Sequence, residues 1–97
     1  MDKREARELL SKELKEWRQR TYAELASFVD GDPVTGGVQS EAGNRYQYEI
    51  QVIWDEKPGG NIRVLGAIDD GGVHAFFPLT DDFILAPNGD FIGEDSA

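Results

Sequence analysis

The ten residues from Arg45 to Trp54 alternate almost without fault. Tyr46, Tyr48, Ile50, Val52 and Trp54 fall on one side, and Arg45, Gln47, Glu49 and Gln51 on the other, with Ile53 the exception. Side chains in a strand point to opposite faces in turn, so this period demands a half-buried antiparallel strand with β-branched and aromatic residues inside. A chain holding such a strand must pair it and cover its apolar face. The rest of the sequence has to supply both.

Pairing partners lie beyond Trp54. Asp55 to Asn61, with Pro58-Gly59-Gly60, reads as a turn. Ile62 to Ile68 reads as a strand, with Ile62, Val64, Gly66 and Ile68 on one face and Arg63, Leu65 and Ala67 on the other. Asp69-Asp70-Gly71-Gly72 turns the chain again. Val73 to Phe77 reads as a further strand stopped by Pro78, which has no donor for the ladder. Phe83 to Ala86 and Phe91-Ile92 flank Pro87-Asn88-Gly89-Asp90, a tight-turn signal. Upstream, residues 30–37 read as a loop, residues 38–42 as a short edge strand, and Gly43-Asn44 as a two-residue hairpin turn. The adjacent acids Asp55-Glu56, Asp69-Asp70 and Asp81-Asp82 all read as turn residues.

The cover comes from the N-terminal end. Residues 3–19 are dominated by strong helix formers. Ala6, Leu10, Leu14 and Trp17 recur at helical spacing, and Leu9 widens the stripe. Thr21-Tyr22-Ala23-Glu24 has capping-box spacing, and the apolar rhythm resumes at Leu25, Phe28 and Val29. One helix over 3–29 would be a rod of ~40 Å, so a break near Arg20 into two helices is the better fit. The predicted fold is α+β: an N-terminal helical segment packed on one face of a four- to six-stranded antiparallel meander. It forms a single domain over 1–97, divided into residues 1–29, a loop with an edge strand over 30–44, the sheet over 45–93, and a frayed tail over 94–97.

Charge narrows the function. The net charge is −9, and it is uneven. Residues 1–29 hold seven basic and six acidic side chains, whereas residues 30–97 hold three and thirteen. The second part repels phosphate backbones, which argues against a nucleic-acid partner. The basic residues of the helical segment read as a solvated face, nearly neutralised by interleaved glutamates. No apolar run approaches the ~20 residues of a membrane span, and the charged start lacks the apolar core of a secretory signal. With no cysteine in the chain, a cytoplasmic location is the expectation.

Chemistry-bearing residues are few. His74 is the one histidine, with Asp69 and Asp70 near it in sequence as general acid–base companions. Asp69, Asp70, Asp81 and Asp82 are the candidate ligands for a hard cation, although none has EF-hand spacing. No nucleophile elbow and no phosphate loop is present, and no cofactor is predicted. Leu9, Trp17 and Tyr22 exceed what one sheet can cover, and Phe76 and Phe77 put a ring on each face of their strand, so Phe76, Phe77, Trp17 and Tyr22 are the candidate interaction anchors. The resulting expectation is a small, acidic, non-enzymatic protein-interaction module or homodimer. An inhibitor or immunity-type protein that neutralises a basic toxin or nuclease is one concrete form. The alternative is a small enzyme or a ligand- or cation-binding domain built on His74 and the turn carboxylates.

Overall fold

The computed structural model describes residues 1–72 and 77–94. Helix α1 (Lys3–Trp17) and a short helix α2 (Tyr22–Ala26) precede four strands, β1 (Val34–Gln39), β2 (Arg45–Trp54), β3 (Ile62–Asp69) and β4 (Leu79–Leu85). The strands form one antiparallel sheet in the order β1-β2-β3-β4. This is the α+β meander expected, with four strands. Among the described residues no helix is long and apolar enough to cross a membrane.

The helices start and stop where their caps dictate. Asp2 caps α1 by accepting the Glu5 N–H at 3.1 Å. The buried face of α1 is Ala6, Leu10, Leu14 and Trp17, the stripe read from the spacing. The break falls at Thr21, whose extended backbone (φ −71°, ψ 162°) cannot continue a helix. Its hydroxyl accepts the Glu24 N–H at 3.1 Å, while Glu24 accepts the Thr21 N–H at 3.3 Å. This reciprocal capping box starts α2 and lets Leu25 turn fully into the core. Trp17 packs edge-to-face on Phe28 with ring centroids 5.0 Å apart, and the Arg20 guanidinium sits 4.4 Å above the Trp17 ring.

The alternation in β2 and β3 holds. Tyr46, Ile50 and Val52 of β2 and Ile62, Val64 and Ile68 of β3 are buried beneath the helices, while Gln47, Glu49 and Gln51 are exposed. Gly66 belongs to the buried face for a steric reason. A Cβ there would lie 2.8 Å from Leu10 Cδ1 and 3.1 Å from Leu14 Cδ2. The missing side chain is what lets α1 approach the sheet. α1 packs chiefly on β3 and β4, and β1 receives much less cover.

Three expectations need correction. First, β1 runs over Val34–Gln39 rather than 38–42, and so includes Gly36 and Gly37. Glycine weakens a strand because it offers nothing to pack. Here the Tyr48 ring of β2 lies across Gly36 and fills that gap; a Cβ on Gly36 would sit within the ring's contact distance. Second, the β1–β2 connection is not a two-residue turn. Gly43 N–H donates to Ser40 O at 2.9 Å and Ser40 N–H to Asn44 O at 2.8 Å, with Gly43 at φ 90°. That is a type I turn closed by a glycine bulge. The Ala86–Asp90 connection repeats it, with Gly89 at φ 94°. Third, Asp81 and Asp82 are not turn residues. They lie inside β4, opposite Gly66 and Leu65, because β4 starts at Leu79 just after Pro78. The strand read over 73–77 lies outside the described residues except for Phe77, which is in a bend before β4.

The two edges of the sheet differ. β4 is flanked by the C-terminal segment, where Phe91 bridges to Leu85 and Ile92 N–H donates to Ile84 O at 2.9 Å. Arg18 holds that segment down, with Nη1 2.7 Å from both carboxylate oxygens of Glu94 and its guanidinium over the Phe83 and Phe91 rings. β1 is the other edge.

Candidate functional site

Because α1 leans toward β3 and β4, a groove opens between α1 and β1. Its volume is about 570 Å³. Leu9 and Val38 supply its apolar floor, and Glu5, Glu8, Glu13, Glu16 and Glu41 its rim, with Lys12 the one basic side chain lining it among the described residues. The rim is set by helical geometry. Residues 5, 9, 12, 13 and 16 recur at spacings of three and four and share the flank of α1 beside β1. Arg4, Arg7, Ser11 and Lys15 recur likewise on the far flank, where they line a second depression that shares Glu8 and Lys12 with the groove. The charges that look interleaved in one dimension are therefore partly segregated in three, with the Arg4–Glu8 pair at 3.5 Å joining the two flanks. Reading them as mutual neutralisation missed the groove; sorting α1 by flank would have found it.

Two phenols lie under this acidic rim. Glu5 accepts from Asn44 Nδ2 at 3.1 Å through Oε2, while its Oε1 is buried with no hydrogen-bond partner among the described residues. Burial pushes the Tyr46 pKa up, and the charges of Glu5, Asp2 and Asp70 push it further. Burial likewise raises Tyr48, with Glu13 and Glu16 adding to it. In each case the phenolate would form in a poorly hydrated place already negative. The sign for stability is fixed by that direction. Folded values above the ordinary ~10 favour the native state fully below ~10, and that contribution is lost as pH rises through the raised folded values. Urea denaturation from about pH 9 to 11.5 should show stability falling at the alkaline end. Tyr48→Phe should flatten that fall; parallel declines for the two proteins would refute the assignment to Tyr48.

The residues singled out from the sequence are scattered. Trp17 is 3% exposed and belongs to the core, so its ring is not offered to a partner. Its place in the Ala6–Leu10–Leu14 stripe decides this. Tyr22 is half-buried and donates to Gly60 O at 2.7 Å. Phe77 is 79% exposed. His74 and Phe76 lie outside the described residues. Asp69 accepts the Gly71 N–H at 2.8 Å, closing an Asx turn, and Asp70 lies 3.6 Å from the Met1 amino group. Asp81 and Asp82, as neighbours in a strand, point to opposite faces. Asp82 pairs with Arg63, which also donates to Asp55 at 2.9 Å. Those bonds, Asp55 first, raise the Arg63 pKa further. Among the described residues no three His, Cys, Asp or Glu side chains are grouped so as to hold a metal ion.

Comparison with known protein families, with curated proteins and with solved structures finds no match to this chain.

Proposed function

We propose that this protein is a binding module for a basic protein partner, with the groove between α1 and β1 as its contact surface. One observation carries the reading: among the described residues, five carboxylates and a single lysine surround an apolar floor. Such a surface attracts cationic side chains by its field, and Leu9 and Val38 offer contact to their methylene stems. An inhibitor of a basic toxin or nuclease would need this kind of surface. The exposed Phe77 ring is a further candidate contact, at the far end of the connection that leads into β4.

The test uses a charge-matched comparison, because any acidic protein binds polycations weakly. The probe is a peptide of sequence Thr-Lys-Val-Lys-Val-Lys-Thr, with binding read by calorimetry in a salt series. Replacing Glu8, Glu16 and Glu41 together by glutamine should weaken binding about tenfold, the summed effect of three exposed charges. Replacing Asp30 and Asp32 by asparagine and Glu56 by glutamine removes the same charge elsewhere and should leave most of the affinity. Equal losses from both triples would overturn the reading, as would the absence of saturable binding at low salt. A mass that grows with concentration by light scattering, and is restored to the monomer by the groove triple, would replace the foreign partner with a second copy.

A further inference from the structure

We infer that the partner binds as an added strand along β1, in an extended conformation with lysine or arginine at alternate positions. The inference rests on the proposed basic partner and specifies how it is held.

The backbone groups of β1 that β2 leaves unpaired can be placed by register. Ser40 N–H donates to Asn44 O. Hydrogen-bonded and non-bonded pairs alternate along an antiparallel ladder, so Val38 with Tyr46, Gly36 with Tyr48 and Val34 with Ile50 bond across to β2. The other hairpin of β2 agrees. Asp55 N–H donates to Asn61 O, which directs the odd-numbered residues of β2 toward β3 and leaves its even-numbered ones for β1. Thr35, Gly37 and Gln39 therefore present their N–H and C=O groups outward, as a row of three. Folded proteins guard such an edge with charge, proline, a bulge or a covering segment. β4 has two of these, Asp81-Asp82 within it and the Phe91–Ile92 segment beside it. β1, with the sequence Val-Thr-Gly-Gly-Val-Gln, has none within its six residues.

Two further depressions adjoin β1. Besides the acidic groove, a depression of about 430 Å³ is lined by Gly37, Val38, Gln39, Arg45 and Asp70, so one basic side chain stands beside the acid there. Another of about 440 Å³ runs from Thr35 and Gly37 past Glu49 to Ala67 and Asp69 of β3, on the sheet face away from α1. All three border β1.

Charge selects the occupant. A second copy paired antiparallel through β1, about a two-fold axis normal to the sheet, would bring its own α1 to the same side. The two glutamate rims would then face each other and repel. A strand with basic residues at every second position, in the register that turns them toward α1, instead directs all of them to the groove side, because alternate side chains share a face.

Gly37→Pro tests this. Gly37 does not have positive φ, and a Cβ there meets nothing closer than Tyr46 O at 3.8 Å. Proline removes an outward donor and no ladder bond, a placement that edge strands tolerate. The lysine peptide should bind Gly37→Pro at least about tenfold more weakly than Gly37→Ala, since a bond is lost and the ring blocks the approach. In the unmutated protein, hydrogen exchange should slow at Thr35, Gly37 and Gln39 on adding peptide. Unchanged affinity of folded Gly37→Pro would overturn the strand inference, as would exchange at those three amides that the peptide does not slow. The groove-charge result would then still decide the basic-partner reading on its own.

Discussion

Gly66→Val should destabilise the protein by about 2 kcal/mol, although valine is among the best strand residues and glycine among the worst. The site decides against propensity. A Cβ at residue 66 would stand 2.8 Å from Leu10 Cδ1, 3.1 Å from Leu14 Cδ2 and 3.4 Å from Ile50 Cδ1. Those methyls are side-chain tips, but Leu10, Leu14 and Ile50 are all buried and have no free volume to move into. The added side chain must lift α1 from β3 or force strained rotamers. Urea denaturation checks the value through its midpoint, at constant slope. A midpoint that rises would mean that α1 does not approach β3 as closely as this structure has it.

Leu10→Ala should have the larger effect, about 3 kcal/mol, from the other side of the same contact. Leu10 is 1% exposed and belongs to the core between α1 and the sheet. Truncation removes buried methyl groups and leaves a cavity that the neighbouring core side chains can only partly close. For a domain of this size the melting temperature should fall by roughly 15 °C. The pair also makes a cycle. In Gly66→Val/Leu10→Ala the valine enters the space the leucine leaves, so the double variant should be more stable than the summed losses by about 1 kcal/mol. Simple additivity would show that the residues do not touch.

The parts legible from the sequence share a physical property: each is fixed by neighbours a few residues away. The α1 stripe, the Thr21–Glu24 capping box, the alternation in β2 and β3, and the glycine turn at 87–90 all express local periodicity or local hydrogen bonding. The candidate site was far less legible. Trp17 looks like a spare aromatic in the sequence although it completes the buried stripe. The groove carboxylates look neutralised by basic residues, but Arg7 and Lys15 line the other flank of α1 and, of the five, Glu8 alone is paired with an arginine, Arg4, among the described residues.

Pattern by itself determined that a helical segment precedes an antiparallel meander, and which faces of α1, β2 and β3 are apolar. Only the tertiary structure decided where β1 begins, because Gly36 becomes a strand residue through the Tyr48 ring of the strand paired with it. The same holds for Asp81 and Asp82, which look like turn acids until β3 pairs with them. The close contact at Gly66 lets α1 lean toward β3 and β4, and that tilt is what uncovers β1 and opens an acidic groove beside it. Periodicity states which face of an element is buried; packing against distant residues states what buries it, and what is left open.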